Sequence, residues 1–270
     1  MQIKPLAAGI ALTLSLVACV TTTSPTGRTQ YVGAVSQAEL DQMGLQAFSR
    51  AKAETPLSKD ARLNATVGCV VHALAAQLPP PWNAVRWDYA VFQKDEANAW
   101  ALPGGKIGVY TGIFRVAKDQ DQLAAVLAHE IGHVISRHHD ERVTRQVLAQ
   151  AGLGVAGALA GSRYGDAAQQ TTGQLGGAVL EGVFLLPNSR VQESEADVVG
   201  QALMAKAGFD PEGAVALWRN MASAGGARPP RWLSTHPDPE SRLRELEARA
   251  AGLVPTLQAA RAQGHSPHCS

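Results

Sequence analysis

His129 and His133, with Glu130 directly after the first, constrain this chain more than any other feature. Histidines four apart stand one turn above each other on one face of a helix, so both imidazoles can reach a single cation. The neighbouring residues supply that helix. Leu123, Val126, Leu127 and Ile131 recur at helical spacing, which predicts a helix that begins around Asp119 to Asp121 and continues to about His138. On it, Glu130 can lie beside the ion without ligating it and take a proton from a water that the ion has acidified.

A catalytic cation of this kind needs a third protein ligand and one open position. His139 lies ten residues after His129, but using it requires the helix to break at Ser136, which turns the chain less freely than glycine. Glu193 and Asp197 are the better pair. They are four apart and share a helix face, while Glu195 points away. One carboxylate can bind the ion as the other holds a ligand histidine by its far nitrogen. Glu193 is therefore preferred as the third ligand, and His138 and His139 are expected as exposed residues at a helix end. Two histidines, a carboxylate and an open site suit one Zn2+ per chain, with other divalent ions compatible.

The rest of the chain predicts an α+β fold that is mainly α-helical, with a small sheet of about three strands. Ser36 and Glu39 form a capping box for a helix to about residue 53. A second helix spans 58–78, stopped by Pro79-Pro80-Pro81. Val85, Trp87, Tyr89 and Val91 alternate with more polar residues as in a half-buried strand. Residues 97–102 and 106–111 flank Pro103-Gly104-Gly105 and read as two strands joined by a tight turn. Helices follow at 189–207, ended by Gly208, then from Asp210-Pro211 to about 222, and from Asp238-Pro239 to 251. Residues 147–161 are apolar and small, with Gly157 and Gly161 four apart, but fall short of the about 20 residues that a membrane span needs, so a close-packed helix or mobile hairpin is expected.

Lys4 and the apolar stretch 6–17 read as a signal peptide over residues 1–18, too short to span a bilayer. Leu16-Val17-Ala18-Cys19 resembles the lipobox of bacterial lipoproteins, which makes Cys19 an acylated mature N-terminus. Val20 in place of Asp favours the outer membrane by the same resemblance. Residues 19–35 then read as a flexible tether and 252–270 as a C-terminal tail. Cys69 and Cys269 leave both a disulfide and two unpaired thiols open. A net charge of +1 and 5% aromatic residues give neither the basic footprint nor the stacking platform of a nucleic-acid binder.

His129-Glu130-Ile131-Gly132-His133, taken with Ser189-Arg190, Glu193 and Asp197, resembles the gluzincin family of HtpX and the CAAX prenyl endopeptidases, nearest its periplasmic BepA- and LoiP-like lipoprotein members. Asn98-Ala99-Trp100-Ala101-Leu102-Pro103-Gly104-Gly105 resembles the family's strand and turn beside the cleft. Ser234-Thr235-His236-Pro237 with Arg242 resembles its late loop and helix. The likeness runs over roughly residues 35–251, in motif order, and makes 36–251 a zincin-type metallopeptidase domain. It implies a zinc endopeptidase with Glu130 as base, His129, His133 and Glu193 as ligands, and Asp197 and Arg242 behind them. His236 then either stabilises the oxyanion or occludes the fourth metal position. Residues Asn98, Ala99, Trp100 and Ala101 would bind substrate if they form an exposed edge strand. The implied partners are unfolded or misassembled envelope proteins and, through the lipid, a membrane; self-association stays open. The transmembrane helices and tetratricopeptide extension of some members have no counterpart here. A zinc-binding chaperone or assembly factor shares every ligand and is the alternative, and an amidase acting on cell-wall peptides is a more distant one.

Overall fold

The structure, a computed structural model, describes residues 20–159, 188–224, 232, 236 and 239–269. The signal peptide, Cys19, Gly161, Ser234, Thr235 and Pro237 lie outside the described residues.

Among the described residues, a three-stranded sheet and six α-helices are arranged around a seventh, buried α-helix. Helix α1 (Gln37–Glu54) starts at the expected capping box, in which the Ser36 hydroxyl accepts from the Glu39 amide and the Glu39 carboxylate accepts from the Ser36 amide. Helix α2 (Ala61–Ala75) is shorter than 58–78, because Asp60 caps Arg62 and Leu63 and so sets the start. Strand β3 (Asp88–Phe92) pairs in parallel with β5 (Lys106–Tyr110), and β4 (Ala99–Leu102) pairs antiparallel with the other side of β5. The order β3-β5-β4 leaves β4 on an edge. Gly104 and Gly105 make the turn between β4 and β5 at φ of 73° and 69°, a region that side chains with a Cβ resist.

Helix α3 (Gln120–Ile135) carries the histidine pair, and every residue from Gln122 to Ile135 is buried. Its first turn is capped by Asp119, whose carboxylate accepts from the Gln122 amide. The helix does not continue to His138. Arg137 adopts a left-handed φ of 56°, and α4 (His138–Leu159) departs in a new direction. Residues 147–159 are helical, and no helix among the described residues is long and apolar enough to cross a membrane.

Helix α5 (Arg190–Lys206) begins at a second capping box between Ser189 and Gln192, and Gly208, at φ 88°, follows its end. It crosses α3 at van der Waals contact of the backbones. A Cβ on Gly132 would lie 2.9 Å from the Ala196 oxygen, and one on Gly200 would lie 2.9 Å from Ala128 and the His129 amide. Only glycine allows that approach, which brings the faces bearing His129, His133, Glu193 and Asp197 together. Helices α6 (Glu212–Ala224) and α7 (Pro239–Ala262) complete the layer on that side.

Two segments differ from expectation. Residues 19–35 were expected as a flexible tether, yet 20–32 form an antiparallel hairpin of β1 (Val20–Thr23) and β2 (Thr29–Val32) bonded to the body. Polar side chains that read as linker composition are its attachments: Gln30 Nε2 donates to the Ser136 carbonyl at 2.6 Å, and Asp140 Oδ1 accepts from the Gly33 amide at 2.9 Å. The stretch 252–270 is likewise no free tail. Helix α7 passes Pro255 and reaches Ala262, and Cys269 forms a disulfide with Cys69 of α2, Cα to Cα 5.5 Å. On the way, the Gln120 amide group donates to Pro267 O at 3.0 Å and accepts from Cys269 N at 2.7 Å.

Candidate metal centre

His129 and His133 of α3 and Glu193 in the first turn of α5 meet as the helical spacing predicts. Nε2 of His133 lies 3.0 Å from Nε2 of His129. The Glu193 oxygens lie 3.3 Å from His129 Nε2 and 3.4 Å from His133 Nε2. A tetrahedral ion with bonds of about 2.1 Å separates its donors by roughly 3.4 Å, so these separations fit one small divalent cation. His236 joins them: its Nδ1 is 3.1 Å from His129 Nε2 and 2.9 Å from Glu193 Oε2. The four donors are all buried, with ligand atoms within 4.8 Å of one another.

The protonation pattern agrees with a cation here. Burial opposes a charge on His129, but the Asp197 and Glu193 carboxylates outweigh it and raise its pKa to about 9. The same carboxylates that favour positive charge on His129 would favour a cation at this point, and taking up the ion would require any Nε2 proton to leave. Burial pushes His133 well below the ordinary histidine range, which keeps a lone pair available. Burial would raise Glu193, yet the neighbouring His236 and His133 hold it well below the usual carboxylate range. Glu193 is therefore anionic.

Each ligand is held from behind. Asp197 Oδ1 is 2.9 Å from His129 Nδ1, and Arg242 grips both oxygens of Asp197 from α7. Burial would raise Asp197, and Arg242 overrides it to lower its pKa. Arg242 also lies 2.6 Å from Glu193 and stacks on Trp218, 4.4 Å to the ring centre. Glu130 is buried beside the donors without being one of them. Its Oε1 accepts from Trp232 Nε1 at 2.9 Å and lies 3.3 Å from His236 Nε2. Trp232 in turn stacks on the His236 ring at 4.5 Å.

Asn98 lies just before the edge strand, which holds Ala99, Trp100 and Ala101 less openly than a bare peptide-binding strand. Ala99 and Ala101 are buried, Trp100 is half-buried against Phe48, and Trp232 N approaches Ala97 O at 3.4 Å. His139 is not in the donor cluster, as Glu193 required, but neither it nor His138 is exposed. That expectation is corrected: the left-handed Arg137 turns α4 back across the body, and both rings go inside.

The roles of several residues around the centre escaped the sequence reading. His138 Nδ1 lies 2.7 Å from His133 Nδ1, and its Nε2 lies 3.0 Å from Glu195. Glu195 does point away from the donors, but into a buried site and not into solvent. Asn188 Nδ2 is 3.4 Å from His133 Nε2 and Arg142 donates to its oxygen. A third histidine in the sequence was the available signal for His138, and Asn188 had none.

A profile of Peptidase family M48 matches residues 59–250, which include all four donors. The chain is 38% identical over 167 residues to the mitochondrial metalloendopeptidase OMA1 of Schizosaccharomyces pombe, covering 60% of this chain and 46% of that protein. It is 31% identical over 226 residues to the beta-barrel assembly-enhancing protease of Escherichia coli K12, covering 80% of this chain and 45% of that one. Metalloendopeptidase OMA1 of Bos taurus matches at 31% over 195 residues, 70% and 37% of the two chains. The chain thus spans less than half the length of each of these relatives.

Proposed function

This chain belongs to peptidase family M48, and from that premise we propose that it is a zinc-dependent endopeptidase. The observation that carries the reading is the convergence of His129, His133 and Glu193 at donor spacing with a buried Glu130 beside them. Those three residues would hold the Zn2+, and a bound zinc would polarise a peptide carbonyl and acidify water at that point. Glu130 takes the water's proton and passes it to the leaving amine. Asp197, clamped by Arg242, keeps the His129 proton on Nδ1 and so leaves Nε2 free to bind.

His236 has two readings, as a donor to the oxyanion or as an occupant of the fourth position. The placement of its Nδ1 among the donors and its Nε2 by Glu130 favours the second for this conformation. Its ring then stands where substrate and water must enter, and turnover requires it to leave. Substrate would add to β4, and opening that edge requires Trp232 to leave Ala97 as His236 moves.

The proposed setting is the periplasm, with an acyl group on Cys19 holding the protein to the outer membrane. The Cys69–Cys269 disulfide supports an oxidising compartment. Unfolded or misassembled envelope proteins are the proposed substrates, in keeping with strand-type recognition that tolerates many sequences. The relative named for assembly of β-barrels supports a second reading, in which holding such proteins matters more than cutting them.

Digestion of casein by the purified protein, with and without chelator and alongside Glu130→Gln, tests the first reading. Cleavage that survives either chelation or the substitution refutes it. Restoration of envelope function in cells by Glu130→Gln would favour the second.

A further inference from the structure

The two histidines of the proposed centre are backed by arms of matching design. His129 meets Asp197, and Asp197 is clamped by Arg242. His133 meets His138, His138 meets Glu195, and Glu195 is clamped by Arg28 of the β1–β2 hairpin. Every joint of the second arm is at hydrogen-bond distance: 2.7 Å from His133 Nδ1 to His138 Nδ1, 3.0 Å from His138 Nε2 to Glu195 Oε2, and 2.9 Å from Arg28 Nε to the same oxygen.

The protons in this arm have one consistent order. A histidine that ligates through Nε2 carries its proton on Nδ1, so His133 donates to the lone pair on His138 Nδ1. His138 must then carry its own proton on Nε2, where Glu195 accepts it. Glu195 needs further donors because it is buried. The hairpin supplies them: Thr26 Oγ1 donates to Oε1 at 2.6 Å and Arg28 to Oε2. Arg28 is fixed in turn by both oxygens of Glu141 on α4, each at 2.9 Å, and Glu141 by Gln192 of α5.

We propose that the hairpin of residues 20–32 is a positioning element of the metal centre: Arg28, acting through Glu195 and His138, fixes the tautomer and angle at which His133 presents Nε2. The hairpin precedes the segment that the family profile matches, residues 59–250, so the chain supplies this brace from outside that segment. The inference rests on the reading that the donor cluster holds a cation.

The test measures the Zn2+ dissociation constant by competition with a chromogenic chelator, the d–d spectrum with Co2+ in place of Zn2+, and the urea midpoint of the metal-free protein. His138→Phe fills the space without hydrogen bonds. His138→Gln offers an oxygen to His133 and an amide donor to Glu195. His138→Phe and Arg28→Ala should each weaken Zn2+ binding about 10- to 100-fold and shift the Co2+ bands. His138→Gln should stay within about threefold of the parent with an unshifted spectrum. A merely structural role would move the urea midpoint while leaving affinity and spectrum alone, and that result overturns the proposal. So does Zn2+ binding by Arg28→Ala at the parent's affinity. If the parent protein itself takes up no Zn2+, the reading of the cluster as a metal centre fails, and the positioning role falls with it.

Discussion

Arg242 holds Asp197 by both carboxylate oxygens, Nε to Oδ2 at 2.6 Å and Nη2 to Oδ1 at 2.7 Å, with both side chains buried. Losing one partner of such a pair strands the other charge in the interior, at a cost of about 3–5 kcal/mol. Arg242→Ala should therefore lower the thermal midpoint strongly. Asp197→Asn keeps the shape but removes the charge that fixes His129, and Zn2+ affinity should fall about 10- to 100-fold in a chelator competition.

The crossing of α3 and α5 predicts a second result. Gly200→Ala places a methyl 2.9 Å from Ala128 and the His129 amide, so the helices must part. The expected loss is about 1–3 kcal/mol in urea unfolding, with weaker metal binding. Gly252→Ala is the control: its Cβ meets nothing within 4 Å, and it lies within a helix. That change should leave stability equal or raise it by up to about 1 kcal/mol.

His236 gives a prediction with opposite signs for two readouts. Removing the ring opens the fourth position and takes away one nitrogen donor. His236→Ala should raise the initial rate of casein cleavage while speeding Zn2+ loss to a chelator. A lower rate with unchanged metal loss would instead assign His236 to the oxyanion.

Docking of the hairpin should be sensitive to acid through Glu141. Burial would raise this carboxyl, but hydrogen bonds from Arg28 and Gln192 lower it below 4.5. The groups facing it are Arg28, Gln192, His138 and Arg145, with Glu195 beyond Arg28. A depressed carboxyl contributes stability above its unfolded pKa, and the contribution disappears as pH falls through the folded one. Stability measured by urea unfolding should thus decline as pH drops below about 4.5, with a shallower slope in Glu141→Gln. Equal slopes would refute the part assigned to Glu141.

What the sequence disclosed and what it hid divide by range. His129, His133, Glu193 and Asp197 were legible because helical spacing alone puts each pair on one face. Their meeting was inferable from chemistry, since two imidazoles need a third donor. His138 was hidden because one left-handed residue, Arg137, resets the helical phase, and nothing local announces it. The hairpin was hidden because its partners are remote. Thr26 and Arg28 reach Glu195 across 169 and 167 positions, and threonine, serine, glycine and proline look alike in a linker and in a tight hairpin. The placement of His236 depends on Trp232 stacking beneath it, also a matter of packing and not of spacing.

Gln30 bonds the carbonyl of Ser136 where α3 ends, and residues 267 and 269 bond Gln120 where it starts. The same helix is clasped at its two ends by stretches 106 and 147 positions away in sequence. Such contacts form late, because the intervening chain must first be gathered in. The helix that carries the donor cluster is therefore fastened at both ends only once residues far apart in the chain have come together.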